Sequence, residues 1–255
     1  MIPKIIQYCW LSNDEIPEKF VYYMETWKEK LPDYKFVLWN FERFDWNQSI
    51  WVQEAFNSKK YAFAADYIRL YALYTYGGIY LDMDIEVLKS FNDLLDSKYM
   101  LAYEKKPGEG IEAGCLGAEK GSQYIKHCLD YYENRHFICK DGSLEQTPLP
   151  VIMQRIMEKE SIDCPIFSAN YFTAKSYDTG EIFASKETYC IHHFSGSWKT
   201  NLEKEKLEEM RKLSKKYGVF MARNIVDIRY AFMKGGMRSV FFLIRDKLKR
   251  IGEKK

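Results

Sequence analysis

The sequence predicts an α/β fold, a mainly parallel sheet flanked by helices, with a helical extension at the C-terminus. Two observations indicate this class. Short apolar segments alternate with longer segments of helical periodicity over residues 1–200, and the pattern after residue 200 is helical. A chain of 255 residues also suits one α/β domain with an appendage. We therefore expect a domain over residues 1–200 and a basic helical extension over residues 201–255.

The first elements follow from short runs of strand formers and from helix breakers. We expect, in order, a strand at residues 5–10, a helix at 18–30, a strand at 35–39 and a short helix at 51–57. The strands are short runs rich in apolar and aromatic residues. The first helix ends before Pro32, because proline cannot continue a helix.

The central segment, residues 62–87, is the most informative part of the chain. A helix is followed by Gly77-Gly78, a left-handed stop, and then by the apolar strand 79–81. Asp82 and Asp84 come next, and in extended chain they point the same way, about 6–7 Å apart. Paired carboxylates resist burial without a cation, and ligands bind at the carboxyl ends of such strands. The pair therefore predicts a divalent metal shared with phosphate, although a bare Asp-x-Asp also occurs in solvated turns.

The helix before this strand carries Asp66 and Arg69 with i, i+3 spacing, so they share a face. Their position one helix upstream of the aspartate pair predicts a shared site. The alternative is an ordinary ion pair at the surface.

The remainder of the first domain is less regular. We expect a strand at 99–104, a glycine-bearing turn at 114–117, helices at 122–134 and 151–159, and a turn-rich stretch over 161–189. The six cysteines form no Cys-x-x-Cys pair, which argues against structural zinc or a disulfide framework and suits a reducing cytoplasm. The N-terminus enters a strand without a signal-peptide pattern, and no apolar run spans a membrane.

Three motifs resemble glycosyltransferase family 32, which includes yeast mannosyltransferases and bacterial capsular polysaccharide transferases. The central motif is also similar to the glucosyltransferase domain of the large clostridial toxins. Its matching residues are Ala65-Asp66, Arg69, Tyr71, Gly77-Gly78-Ile79-Tyr80 and Leu81-Asp82-Met83-Asp84. Residues 2–10 resemble the opening strand of the family, with Gln7 where histidine is usual. Residues 193–198 resemble its closing His-x-x-x-Ser-Trp motif.

The resemblance implies a GT-A fold, a nucleotide-sugar donor, Mn²⁺ or Mg²⁺, and transfer with retention of anomeric configuration. It implies that Asp84 binds the metal directly and that Asp82 reaches the ribose and the waters of the metal. Asp66 and Arg69 would hold the hydroxyls of the donor sugar. The catalytic set is then Asp66, Arg69, Asp82 and Asp84.

The resemblance also implies donor contacts outside this set. They would come from Trp10, stacked on the base, and from Tyr80, Ser197 and Trp198. For the third metal ligand we favour His193, with His192 as the alternative. Gly114 and Glu112 are expected to approach the sugar or the acceptor.

The donor, the acceptor and two other functions remain open. Trp10 favours a UDP-sugar, and GDP-mannose is the alternative donor. The expected acceptor is a glycan or lipid-linked glycan in the synthesis of a surface polysaccharide such as a capsule. An apolar strand ending in Asp-x-Asp also occurs in phosphohydrolases of the haloacid dehalogenase type, although Glu86 stands where they need Thr or Val. A non-catalytic, membrane-associated binding module is the third interpretation.

The total charge is near neutral, but positive and negative residues are distributed unequally between the two parts of the chain. Residues 199–255 carry 17 Lys and Arg against 7 Asp and Glu, a net of +10, whereas residues 1–198 carry a net of −8. Residues 219–251 mix apolar and basic side chains and are interrupted at Gly235-Gly236. This pattern predicts basic amphipathic helices on an anionic membrane, at its cytoplasmic face. Packing on the protein itself is the alternative, and the acidic domain disfavours nucleic acid.

Overall fold

The computed structural model of the chain describes residues 1–162, 164–196 and 201–252, without the side chains of residues 247–252. These residues fall into two compact units. One lies within Met1–Lys175 and Ile182–Trp198, and the other within Ser176–Glu181 and Lys199–Lys255.

The described strands all lie in the first unit. They are β1 (Ile5–Cys9), β2 (Lys35–Trp39), β3 (Gly78–Leu81), β4 (Ile85–Val87), β5 (Tyr99–Met100), β6 (Cys115–Ala118) and β7 (Cys190–His192). A five-stranded sheet has the order β2-β1-β3-β6-β5, and β4 and β7 form a separate antiparallel pair. In the larger sheet β1 is parallel to β2 and β3, while β6 is antiparallel to β3 and β5. All of its strands except β6 therefore run in one direction, which confirms the mainly parallel α/β class.

The helices complete both units. They are α1 (Glu18–Lys30), α2 (Ile50–Asn57), α3 (Tyr61–Tyr76), α4 (Gln123–Asp130), α5 (Leu149–Lys159) and α6 (Ala169–Phe172) in the first unit, and α7 (Asn201–Tyr217) and α8 (Val219–Gly252) in the second. The expected helical extension is confirmed. The expected turn at 114–117 is wrong, because most of it is the buried strand β6. Gly117 fits there because an added Cβ would lie only 3.0 Å from the Met100 Cβ atom of β5.

The turn between α3 and β3 allows β3 to lie close beside β1. Gly77 and Gly78 have φ angles of 70° and 103°, which favour glycine over other residues. A Cβ atom on Gly78 would lie 2.5 Å from the backbone oxygen of Ile5. Both glycines are therefore needed to bring the Asp-x-Asp segment to the end of a central strand.

Gln7, the departure from the family pattern, connects β1 to β2 and to the turn before β3. Its side chain is buried; Nε2 donates to the Gly77 carbonyl at 3.0 Å and Oε1 accepts from the Trp39 indole at 2.8 Å. Both polar ends of the amide are satisfied, as a buried side chain requires. A neutral residue with one donor and one acceptor thus fits this position.

The second unit has a small apolar contact between its two long helices. Met210 of α7 packs against Ala222, Val226 and Tyr230, which form one face of α8. The helix is interrupted at Gly235 and Gly236, as expected from the sequence. Within the part of the chain that the structure describes, every helix is too short or too polar to cross a lipid bilayer.

We predict that Gly78→Ala destabilises the protein more than Gly142→Ala does. Both positions have a positive φ, so each substitution should cost about 1–2 kcal/mol in backbone strain. Gly142 faces open space, whereas the clash at Gly78 is with backbone and should add about 1–3 kcal/mol. Urea denaturation of both variants measures this difference, and equal midpoints would contradict the packing described for β1 and β3.

Candidate active site

The Asp-x-Asp segment forms a tight turn at the end of β3. The amide of Asp82 donates to the Gly114 carbonyl at 2.7 Å, and the Asp82 carbonyl accepts from Ile85 at 3.0 Å. The extended geometry expected for this segment is therefore wrong. The turn leads directly into β4, which forms an antiparallel pair with β7.

The β4–β7 pair brings His192 to the two aspartates. Ile85 is in register with His192, the residue that ends β7. One ligand atom from each of Asp82, Asp84 and His192 lies within 4.8 Å of the others. The His192 Nε2 atom is 3.4 Å from Asp84 Oδ1. The turn and the strand pair thus assemble a three-residue cluster from distant parts of the chain.

The adjacent histidine, His193, has different partners. Its Nε2 atom is 2.7 Å from Glu86 Oε2, its Nδ1 atom is 3.3 Å from the Lys175 ammonium, and its ring stacks on Tyr23 at 4.6 Å. The sequence favours His193 as the third ligand, with His192 as the alternative. The structure places His192 beside the aspartates and His193 beside Glu86.

Asp66 and Arg69 are buried, so they are not an ordinary surface ion pair. The Arg69 Nη2 atom lies 3.2 Å from Asp66 Oδ1 and 3.3 Å from Asp82 Oδ1. Its Nη1 atom donates to the Ala113 carbonyl at 2.6 Å. The guanidinium also lies over the Tyr80 ring at 4.5 Å, and the Tyr80 hydroxyl donates to Asp82 at 3.0 Å. Arg69 therefore joins α3 to the Asp-x-Asp turn.

Burial and the charge of Arg69 act in opposite directions on the pKa values of Asp66 and Asp82. Burial raises the pKa of Asp66 to about 6; Arg69 partly offsets this effect, and the negative charge of Asp82 adds to it. Burial also raises the pKa of Asp82, against the attraction of Arg69. Two carboxylates share one guanidinium here, which leaves negative charge available for a further cation.

Asp84 and His192 stabilise each other as an ion pair. Burial alone would raise the pKa of Asp84, but His192 and the Ser195 amide, which donates at 2.6 Å, lower it. Burial alone would lower the pKa of His192, but Glu112 and Asp84 raise it well above its usual value. Asp84 is therefore ionised at neutral pH, as a metal ligand must be.

Glu112 lies behind His192, in a fully buried position. Its carboxylate contacts the His192 Nδ1 atom at 3.0 Å and accepts from the Gly114 amide at 2.7 Å and the Thr173 hydroxyl at 2.7 Å. Gly114 must lack a side chain, since a Cβ atom would lie 2.7 Å from His192 Cε1. Sequence reasoning associated Glu112 with the substrate and missed its contact with His192. The available signal was a lone charge within the apolar run 111–118.

The sequence also predicts Trp10, Ser197 and Trp198 at the site. Trp10 is half-buried directly after β1; its indole donates to the Asp14 carbonyl at 2.9 Å and its ring meets Phe20 edge-on. Ser197 and Trp198 lie outside the described residues. The role of Trp10 toward a nucleotide base stays a prediction.

Comparisons with known proteins agree with the resemblance noted in the sequence. Residues 17–101 match the family described as glycosyltransferase sugar-binding region containing DXD motif. Inositol phosphoceramide mannosyltransferase 3 of Schizosaccharomyces pombe is 34% identical over 144 residues, which are 53% of this chain and 40% of that protein. Inositol phosphoceramide mannosyltransferase 2 of the same organism is 32% identical over 211 residues, 79% of this chain and 59% of that protein.

A solved structure of the PaToxG glycosyltransferase is also similar, with 19% identity, a TM-score of 0.47, and coverage of 62% of this chain and 70% of that chain. The chain spans less than two thirds of the length of the curated relatives described above. The matched family region includes Asp66, Arg69, Asp82 and Asp84. The resemblance to sugar transferases with an Asp-x-Asp motif is confirmed.

We predict that Asp66→Asn changes how stability depends on pH. The native pKa of about 6 lies above the unfolded value of about 3.9, so the native state binds this proton more tightly. The stabilisation from Asp66 is present at low pH and is lost as the pH rises through about 6. An asparagine cannot ionise. The melting temperature of the variant, relative to the unmodified protein, should therefore be higher at about pH 7.5 than at about pH 4.

The exposed Asp96→Asn serves as the control for this comparison, since it removes a carboxylate at the surface. A relative melting temperature of Asp66→Asn that is the same at both pH values would contradict the raised pKa of Asp66.

Proposed function

We propose that this chain, which carries the sugar-binding region of glycosyltransferases with an Asp-x-Asp motif, is a metal-dependent hexosyltransferase. It would move a hexosyl group from a nucleotide-sugar with retention of configuration. The observation that carries this proposal is the convergence of Asp82, Asp84 and His192 at the end of β3. The buried Arg69 beside them supports the same assignment.

The donor atoms fit a divalent cation such as Mn²⁺ or Mg²⁺. Carboxylate oxygens suit both ions, and an imidazole nitrogen suits Mn²⁺ better than Mg²⁺. We assign Asp84 and His192 as direct ligands and Asp82 to the ribose and to the waters of the ion. When bound, the ion supplies a Lewis acid that neutralises charge on the departing diphosphate.

The residues of the chain then orient the donor. Arg69 holds Asp66 and Asp82 in place, and Asp66 is the carboxylate that we assign to the sugar hydroxyls. The buried carboxylate of Glu112 is already bonded to protein groups and does not serve as a nucleophile. Because we assign no side chain as a nucleophile, we assign retention to attack of the acceptor oxygen on C1 from the face that the diphosphate leaves. The bond from C1 to the diphosphate oxygen breaks, and that oxygen takes the proton of the acceptor hydroxyl.

The identities of the nucleotide base in the donor and of the acceptor are inferred from less direct arguments. Trp10 favours a UDP-sugar, whereas the names of the two mannosyltransferase relatives favour a mannosyl donor such as GDP-mannose. Both names also mention inositol phosphoceramide, a phosphorylated lipid, and this supports a lipid-linked glycan as the acceptor. A role in surface polysaccharide synthesis at the cytoplasmic face of the membrane completes this proposal.

We predict that one donor class, UDP-sugars or GDP-mannose, raises the melting temperature only when Mn²⁺ is present. Asp84→Ala should abolish this shift and lower transfer at least about a hundredfold, a loss typical of removing one electrostatic contact to a developing charge. The surface variant Asp96→Ala is the matched control and should keep both. NMR of the product should show retained anomeric configuration.

Near-normal turnover by Asp84→Ala would overturn the metal assignment. Hydrolysis of p-nitrophenyl phosphate, without any effect of nucleotide-sugars, would instead identify the phosphohydrolase of the haloacid dehalogenase type. The absence of both activities would favour the non-catalytic binding module.

The second unit supports the membrane part of the proposal. Four apolar side chains with i, i+4, i+7, i+11 spacing form one stripe along α8, and each is between 41% and 55% exposed; they are Met221, Ile225, Ile228 and Phe232. This stripe is distinct from the face that packs on α7. Beyond the interruption, Met237, Phe241 and Ile244 form a similar exposed row.

Basic side chains lie beside an aromatic ring in the part of α8 beyond the interruption. Arg238 and Arg245 lie over the Phe242 ring at 5.9 and 4.8 Å, so cationic and aromatic groups are interleaved. Residues 199–255 carry a net charge of +10, and an anionic bilayer attracts each nearby basic residue by about 1 kcal/mol. The combination of exposed apolar rows and positive charge matches an anionic lipid surface better than a neutral protein surface.

We predict that the protein of residues 1–255 floats with vesicles containing phosphatidylserine, and that salt releases it. The double substitution Ile225→Ser/Phe232→Ser should reduce the bound fraction, because it removes apolar area from the stripe. Val21→Ser/Ile50→Ser alters exposed apolar residues of the first unit and is the matched control. Unchanged flotation of the stripe variant, together with a shift from dimer to monomer in size-exclusion chromatography, would show that a second copy covers this stripe.

A further inference from the structure

We propose that Glu112 is a positioning residue that, with Thr173, holds the His192 ring so that Nε2 faces Asp84. The inference rests on the proposed metal-dependent function and identifies the support of its histidine ligand. It concerns a residue that does not itself reach the substrate.

The carboxylate of Glu112 is fixed at both oxygens. Oε1 accepts from the Gly114 amide at 2.7 Å and lies 3.0 Å from His192 Nδ1. Oε2 accepts from the Thr173 hydroxyl at 2.7 Å. The residue is only 1% exposed. Glu112 therefore acts on the chemistry through the groups that it holds.

The contact at Nδ1 determines which nitrogen of His192 is available. A carboxylate beside Nδ1 accepts a hydrogen bond from Nδ1–H and so leaves Nε2 as the atom for a metal. In this orientation Nε2 lies 3.4 Å from Asp84 Oδ1. A ring flip would place carbon atoms where these two contacts lie. Glu112 thereby selects the orientation in which His192 joins the aspartates.

Three neighbours restrict the ring further. Phe194 stacks on the imidazole at 4.1 Å, and the backbone amide of His192 donates to the Thr173 carbonyl at 2.9 Å. Thr173 therefore contacts both His192, through its backbone, and Glu112, through its side chain. The missing side chain of Gly114 leaves room for the ring edge. The support is built from three separate segments of the chain.

The chain contains a matched control in Glu54. Its carboxylate accepts from the amides of Phe137 and Ile138 at 2.8 and 3.0 Å and contacts His136 Nδ1 at 2.7 Å. The chemistry resembles that at Glu112, since both carboxylates contact a histidine Nδ1 atom and accept from backbone amides. His136, however, is 63% exposed and lies outside the aspartate cluster. Glu54→Gln thus removes an equivalent charge without touching the proposed site.

The experiment measures Mn²⁺ binding to the protein of residues 1–255 by the EPR signal of free Mn²⁺, without donor or acceptor. Glu112→Ala and Thr173→Val should weaken Mn²⁺ binding, with Glu112→Ala in the range of 10–100-fold seen for such support residues. Glu112→Gln keeps an oxygen that can accept from Nδ1–H, so it should lose less Mn²⁺ affinity than Glu112→Ala. Electron spin-echo modulation from the imidazole ¹⁴N should be present in the unmodified protein, absent in His192→Ala and reduced in Glu112→Ala. Glu54→Gln should match the unmodified protein.

A double-substitution cycle tests whether Glu112 acts through His192. In the His192→Ala background, Glu112→Gln should cause no further loss of Mn²⁺ affinity. If Glu112→Ala does not fold, Glu112→Gln and Thr173→Val still give the comparison. Unchanged Mn²⁺ affinity in these two variants would overturn the inference while leaving the proposed function intact. Failure of the unmodified protein to bind Mn²⁺ would overturn both.

Discussion

The arrangement of the site depends on one buried cation, the guanidinium of Arg69. Carboxylates cannot be buried in an ionised state unless a positive charge compensates them. Arg69 contacts Asp66 and Asp82 and donates to the Ala113 carbonyl, so it links α3, the turn after β3 and the segment before β6. The negative charge of these partners raises the pKa of Arg69 well above its usual value, despite burial that would lower it. A neutral residue at this position would leave two carboxylates facing each other in the core.

Charges of alternating sign continue from this cation across the site. Asp84 follows the turn, His192 lies against Asp84, and Glu112 lies against the other nitrogen of His192. Each buried charge has an oppositely charged neighbour, which reduces the desolvation cost of the group. Asp82, whose side chain is 28% exposed, is more accessible than Asp84, His192 or Glu112. A metal ion added there would take the place of the proton on His192 Nε2, between side chains that the fold already holds close together.

Much of the fold was predictable because it follows local rules. The bounds of α1 and β2 agree with the expected ones, since apolar runs and helix breakers are visible in the sequence. Gly77 and Gly78 predicted the stop before β3, and Gly235-Gly236 predicted the interruption of α8. Strand β6 was not predicted, because its glycine and alanine resemble a turn when the neighbouring strands are unknown.

The partners of the site residues were harder to predict than the residues themselves. Asp66, Arg69, Asp82 and Asp84 lie in one short segment, and their spacing together with the family resemblance of that segment predicted a shared site. The choice between His192 and His193 depends on the register of β7 against β4, a long-range pairing that local sequence does not determine. The role of Gln7 likewise depends on Trp39 and Gly77 meeting on either side of it. Contacts of this kind come from tertiary packing.

The cost of the Asp66 carboxylate is itself an argument about function. A residue selected for stability alone would not keep a buried acid whose pKa is raised to about 6, because ionisation then opposes folding at neutral pH. An asparagine would have a similar shape and no charge. Positions where a local rule of stability is broken are commonly those that carry function. Asp66 lies on the helix before the aspartate pair, and Arg69 contacts both Asp66 and Asp82. The costly buried charge and the proposed chemistry therefore lie at the same few side chains.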